Sequence, residues 1–273
     1  GNKVRLAIKN RIRKDKLIME FIGHSEELSL AKFSADGKKL LTASRDRTVK
    51  IWNVASGTLL INLEGHTKLI NDASFSSDGS RVLTASNDHS AKIWNVLSGK
   101  VIFNLQRSTP VTSARFSPDA KKIVTSDGDR LTIWETSSAT IISEMNDHSA
   151  DIIDVAFSPD GKKILSASWD STARIWNSIS GKLIAVLKSH AAGLTSAKFS
   201  PNGKNIVTSS IDFTAKIWNE SATVIADLRG YSNKINFVQI SQDGQKIVSA
   251  LREKKKKVWD AVSGSLIHTL KGH

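Results

Sequence analysis

Tryptophan recurs in this chain at a spacing that ordinary globular sequences do not keep. Trp52, Trp94, Trp134, Trp176, Trp218 and Trp259 follow one another at intervals of 42, 40, 42, 42 and 41 residues. Most close a short segment such as "TVKIWN", "SAKIWN", "TARIWN" or "TAKIWN". A fixed period of this length means that one supersecondary unit is built several times over, so the unit has to be read before any local motif. Upstream of each tryptophan comes a stretch like "AKFSADGKKLLTAS"; downstream comes one like "SGKLIAVLKSH". Each unit therefore reads as four short runs of alternating or β-branched apolar residues parted by turn residues, the pattern of half-buried strands.

The turns agree with that reading. Asp36-Gly37, Asp78-Gly79, Asp160-Gly161, Asn202-Gly203 and Asp243-Gly244 stand between the first and second runs. Such pairs signal hairpins, because these residues tolerate positive φ. The third unit has Asp119-Ala120 there, which is expected either to cost stability or to force a different turn. Ser-Gly pairs at 56–57, 98–99, 180–181 and 263–264 part the third and fourth runs. A lone sheet of four antiparallel strands has nothing to cover its two faces; repeating it radially lets each sheet cover its neighbours.

The chain at this point resembles the WD-repeat β-propeller family, from about Lys3 to His273. The family's marks are a Gly-His before the first strand, an aspartate in the second turn and a Trp-Asp closing the third strand. Gly23-His24 and Gly65-His66 match the first mark fully, while Asp147-His148 and Ser189-His190 keep the histidine. The closing pair is Trp-Asn four times, Trp134-Glu135 once and Trp259-Asp260 once. The fold class expected is all-β: a β-propeller of four-stranded antiparallel blades, seven-bladed with an incomplete seventh blade. One propeller domain is expected over 1–273. Residues 1–22 align with the third and fourth strands of a unit whose tryptophan has become Ala7; 23–273 hold six full repeats and end at the start of another. The simplest expectation is an excerpt of a longer chain.

Four histidines lie 22 residues before an aspartate that is itself six before a tryptophan: His24 and Asp46, His66 and Asp88, His148 and Asp170, His190 and Asp212. Buried groups of these types need partners. The resemblance implies a hydrogen-bonded tetrad in each case: His24, Thr42, Asp46, Trp52; His66, Thr84, Asp88, Trp94; His148, Ser166, Asp170, Trp176; His190, Thr208, Asp212, Trp218. A histidine near an aspartate also suits acid–base catalysis or metal ligation, but four copies at one spacing point to a framework, since an active site is usually built once. Two units depart from the pattern. Arg107 aligns with the histidine in the third, where "SDGDR" is one residue short; in the sixth, Tyr231 replaces histidine and Glu253 replaces aspartate.

Other chemistry is lacking in the sequence. There is no cysteine, so disulfides and thiolate chemistry are excluded. No esterase, zincin, phosphate-loop or dinucleotide signature occurs. No enzyme activity, metal or cofactor is expected. No apolar run approaches the ~20 residues of a membrane span, and a cytoplasmic location is expected. The net charge of +13 is concentrated: residues 3–16 carry a net +6 and 252–257 a net +4. Such basic segments attract nucleic acid or acidic partners, or they guard exposed strand edges.

The second turn supplies the last clue. If the tetrads set these turns on one face, the residues beside each aspartate face solvent: Arg45 and Arg47, Asn87 and His89, Arg252 and Lys254. The fourth and fifth units instead carry Trp169, Ile211 and Phe213. Tight turns favour polar residues and glycine, so three large apolar side chains there suggest a binding patch. Arg45, Arg47, Arg252 and Lys254 complete the expected partner-binding set. Against this stands a purely structural reading, in which Trp169 folds onto its own blade and packs against the turn of Phe213. The function expected is a non-catalytic scaffold or interaction platform for protein partners, in the manner of repeat regions attached to signalling or sensor proteins. The alternative is a basic propeller subunit contacting nucleic acid in a ribonucleoprotein or chromatin assembly.

Overall fold

The computed structural model describes residues 4–9, 17–231, 233–251 and 255–271, with side chains for 20–231, 233–250 and 256–270. Every regular element among them is a β-strand. The chain divides into two compact units, Gly1–Phe116 and Ser117–His273.

In the first unit, β1 (Val4–Lys9) and β2 (Leu17–His24) form a two-stranded antiparallel sheet. The first four-stranded sheet holds β3 (Leu28–Phe33), β4 (Lys39–Ser44), β5 (Val49–Asn53) and β6 (Leu59–Leu63). The second holds β7 (Ile70–Phe75), β8 (Arg81–Ser86), β9 (Ser90–Asn95) and β10 (Val101–Gln106). The unit ends with β11 (Val111–Phe116), the first strand of the third sheet. The second unit continues with β12 (Lys122–Asp127), β13 (Arg130–Glu135) and β14 (Ile141–Met145). The fourth sheet holds β15 (Ile152–Phe157), β16 (Lys163–Ser168), β17 (Thr172–Asn177) and β18 (Leu183–Lys188). The fifth holds β19 (Leu194–Phe199), β20 (Asn205–Ser210), β21 (Ala215–Asn219) and β22 (Val224–Leu228). The sixth holds β23 (Ile235–Ile240), β24 (Lys246–Leu251), β25 (Lys255–Asp260) and β26 (Leu266–Lys271). Strand order follows chain order in each. The described residues thus form six four-stranded antiparallel sheets and one two-stranded sheet, and the fold class is that of a β-propeller.

Sequence pattern explains which strands are buried. The second strands, such as "LLTAS" of β4 and "ILSAS" of β16, combine aliphatic residues with alanine and small hydroxyl residues and are buried on both faces. The fourth strands open with a pair of exposed aliphatics and bury only a residue near the end, as in β6 and β18. Neighbouring sheets then share cores. In the first unit Leu41, Val49 and Ile51 pack with Ile70, Val82 and Trp94, and Phe21 of β2 meets Trp52 edge-on at 5.7 Å. In the second unit Leu131 and Ile133 pack with Ile164 and Trp176, and Leu165 and Ile175 pack with Ile206 and Trp218. Fully burying each such side chain contributes roughly 1.5–3 kcal/mol.

Carboxylates stitch the sheets where apolar contact stops. Asp72 accepts from Lys32 Nζ (2.9 Å), Ser113 Oγ (3.1 Å) and the Ala114 N–H (3.2 Å), and it pairs with Arg115. Asp154 accepts from Ser196 Oγ (3.0 Å), the Ala197 N–H (3.2 Å) and Lys198 Nζ (2.5 Å). The first turn is likewise built on hydrogen bonds: Asp36 accepts from the Ser34 hydroxyl at 2.6 Å and the Lys38 N–H at 3.0 Å, while Gly37 donates to the Ser34 carbonyl. The third sheet keeps this same turn despite its alanine. Ala120 sits at φ 55° and donates to the Ser117 carbonyl, as the glycines do. The turn is unchanged, and the strain stays in the alanine.

Candidate functional site

The end of each sheet where the second strand turns into the third carries the residues singled out by sequence. In the first sheet Trp52 Nε1–H donates to Thr42 Oγ1 (2.8 Å), Thr42 meets His24 Nε2 (2.8 Å), and His24 Nδ1 meets Asp46 Oδ2 (2.8 Å). Asp46 also accepts from the Thr48 hydroxyl (2.7 Å) and the backbone N–H groups of Thr48 and Ser25. The chain recurs as Trp94, Thr84, His66, Asp88; as Trp176, Ser166, His148, Asp170; and as Trp218, Thr208, His190, Asp212. The glycine before the histidine serves close approach: a Cβ on Gly23 would lie 2.9 Å from the ring tip of Trp52.

Protonation follows from burial. Burial is the largest influence on all four histidines and holds them below their usual pKa, although Asp46, Asp88, Asp170 and Asp212 pull the other way. A neutral imidazole fixes the polarity of the chain: indole N–H to hydroxyl oxygen, hydroxyl proton to Nε2, Nδ1–H to carboxylate. For the aspartates burial is again the largest single influence and acts upward. The hydroxyl, imidazole and backbone donors together outweigh it, and Asp88 and Asp212 fall to about 2. These groups are locked, satisfied and enclosed. Nothing in them is poised to take a proton from a substrate.

The two departing sheets differ from each other. In the third, the turn from β12 to β13 is cut to two residues, with Asp127 opposite Arg130 and Gly128 at φ 62°. The indole of Trp134 still finds Thr125 Oγ1 at 2.9 Å. In the sixth, Tyr231 does more than sequence suggested: its hydroxyl lies 2.6 Å from Ser249 Oγ, which accepts from Trp259 Nε1 at 3.0 Å. Burial pushes the Tyr231 phenol up to about 12. The tyrosine thus rebuilds part of the chain, and Glu253 lies outside the described residues.

The residue after each aspartate is held in the left-handed region: Arg47 at φ 66°, His89 at 68°, Ser171 at 70° and Phe213 at 66°. This is a three-residue hairpin loop whose last position favours glycine. Phe213 nevertheless occupies it, 46% exposed, with Ile211 at 41% and Trp169 at 57%. Trp169 stands against Gly193 of the next sheet's leading loop, where a Cβ would come within 3.1 Å of the Trp169 Cα and 3.3 Å of the ring Cδ1. The Gly193 carbonyl accepts from the Ile211 N–H at 3.0 Å. Gly193, which sequence reasoning missed, therefore joins Trp169 to the Ile211–Phe213 turn; its sign in the sequence is a glycine where the other loops carry Glu27, Leu69 and Asp151.

The remaining predicted residues have separate fates. In the first unit Arg45 lies 3.4 Å from Glu27, and Arg47 donates to the Thr67 carbonyl at 3.3 Å. Both are exposed. Arg252 and Lys254 lie outside the described residues, as does most of the basic segment 3–16. Among the described residues no group of three histidine, aspartate or glutamate side chains is placed to hold a metal ion. Among the described residues no helix is long and apolar enough to cross a membrane.

No curated relative matches the chain. A family model for the WD domain, G-beta repeat, matches residues 15–53, 57–95, 99–135, 139–177 and 181–219. Each match ends at the residue after a repeat tryptophan and holds the last strand of one sheet with the first three strands of the next, so the family's unit straddles two sheets. On repeats covering well over half its length, the chain belongs to the WD40 repeat family.

Proposed function

We propose that this protein is a non-catalytic interaction module that takes protein partners at the end of its fourth and fifth sheets, with Trp169, Ile211 and Phe213 as the contact. The observation that carries the reading is Phe213: a bulky aromatic residue, half exposed, in a left-handed position that costs a residue with a side chain roughly 1–2 kcal/mol. Phe213 keeps nearly half of its surface in contact with water at a position where its backbone is strained, which suits a residue used outside the fold. Trp169 supplies the large rigid aromatic surface typical of binding hot spots. The locked histidine–aspartate chains fit a frame that holds these turns in place.

The test separates fold from contact. Trp169→Ala and Phe213→Ala are expected to leave unfolding free energy within roughly 0.5 kcal/mol, as surface changes do. Proteins retained by the immobilised parent should be lost by both variants and kept by Leu97→Ala, a change at an exposed residue in the turn between β9 and β10. A large stability loss with unchanged retention would show that the aromatics belong to the fold. The nucleic-acid alternative rests on basic segments that lie mostly outside the described residues, and it is tested through their charge below.

A further inference from the structure

One position in the third strand of each sheet faces the fourth strand across the ladder. It is Lys50 opposite Asn62, Lys92 opposite Asn104 and Lys216 opposite Asp227. In each of these sheets the fourth strand supplies the acceptor, at 2.7, 2.8 and 3.0 Å. Lys257 of the sixth sheet, opposite Thr269, turns instead to the Gly230 carbonyl and stands over the rings of Tyr231 and Trp259.

The fourth sheet breaks this rule. Its cation is Arg174, and the residue opposite is Val186. The Arg174 side chain is only 16% exposed, yet its Nε is buried with no hydrogen-bond partner. The carboxylate in reach is Asp170, 4.0 Å away and already bonded to His148 and to the backbone and hydroxyl of Thr172. A mostly buried guanidinium with a missing acceptor is uncommon, because desolvation is not repaid. β18 is also the last strand of its sheet, so one edge of its backbone has no ladder partner among the described residues. Along that edge Ile184 and Val186 are 51% and 39% exposed. An open, apolar edge of this kind is a template for another strand.

We propose that the free edge of β18 takes an extended segment of a partner protein as a fifth strand, and that a carboxylate on this segment, opposite Val186, is the acceptor Arg174 lacks. Two ladder steps of about 4.8 Å separate the backbone of Arg174 from such a strand, a gap that an arginine and a glutamate side chain close over Val186. β-Branched residues two positions to either side of the carboxylate share its face and would cover Ile184 and Val186. The net charge of +13 draws acidic segments toward the protein at long range. This site lies on the strand edge and does not depend on the Trp169 contact.

The test uses a fluorescent eleven-residue peptide of alternating threonine and valine with one central glutamate, and the same peptide with glutamine. Anisotropy at low salt should show the glutamate peptide binding the parent at least tenfold more tightly. Hydrogen exchange should slow at β18 amides when it binds. Val186→Asp gives Arg174 an internal carboxylate, and Val186→Asn copies Asn62 and Asn104; in both, the glutamate advantage should vanish, and Arg174→Gln should abolish it as well. Absence of binding, equal affinity for the two peptides, a preference that survives in the folded Val186 variants, or protection away from β18 would each overturn the proposal.

Discussion

The four buried histidines make a prediction that depends on their sign. A His⁺–Asp⁻ ion pair would raise the histidine pKa, and stability would grow as pH falls below 7. Here burial wins and the folded pKa values lie below 6.5. The unfolded chain then binds more protons below 6.5, so the contribution is complete above that pH and is lost as pH falls through the folded values. Melting temperature should be flat from pH 8 to 7 and decline below 6.5, with a slope of up to about 1.4 kcal/mol per pH unit for each histidine. A second decline belongs to Asp88 and Asp212, whose contribution is present above about 4 and lost toward 2. A rise in stability between pH 7 and 6 would mean that the histidines are charged. Phe213 gives a second residue-scale prediction. Phe213→Gly should raise stability by roughly 0.5–1 kcal/mol in thermal melts, because glycine relieves the left-handed strain at some cost in unfolded-chain entropy. A drop in stability there would show that the ring packs usefully against the fold.

Ala120 carries the prediction for the single element. The third sheet keeps the turn its neighbours build with glycine, so Ala120→Gly should stabilise by roughly 0.5–1 kcal/mol without moving the turn. Unchanged or lower stability on thermal melting would mean that the alanine side chain contributes packing the backbone angle does not reveal. Elements of this kind were legible in the sequence because turns, strand alternation and the histidine–aspartate interval are local rules repeated at a fixed period. What crosses between strands was less so. A bulge near each repeat tryptophan shifts the register between third and fourth strands, as between Ile51 and Trp52 or Ile217 and Trp218. The turn that follows also differs in length, so Lys50 meets a residue 12 positions on and Lys216 one 11 positions on, and counting along the chain does not find that Arg174 faces Val186. The lean of Trp169 onto Gly193 was hidden for the same reason, since it joins two sheets. Tyr231 was underrated because sequence alignment treats it as a lost histidine, whereas its hydroxyl reaches the same partner.

At the scale of the whole molecule the open question is what the charge of +13 serves, and the surroundings of one lysine decide how to ask it. The run "REKKKK" at 252–257 suggests replacing all four lysines, but Lys257 stands 4.7 Å from the Tyr231 ring centroid and 5.4 Å from that of Trp259 and bonds the Gly230 carbonyl. Removing it would damage the sixth sheet and confuse binding with folding. The informative variant is Lys254, Lys255 and Lys256 to alanine, which lowers the net charge by three. If these lysines neutralise phosphates, the parent's affinity for single-stranded nucleic acid should fall steeply with salt. The variant's slope should then be shallower by about two, at roughly 0.7 for each phosphate no longer neutralised. Melting temperature should not change. Lys255 and Lys256 stand on β25, which is paired with both β24 and β26, so they guard no open strand edge. If these lysines only keep the surface charged, the slopes of parent and variant should coincide. A parent protein that fails to bind nucleic acid even at low salt would remove the nucleic-acid reading and leave protein partners, acidic ones favoured by the field of the chain, as the function of the repeat array.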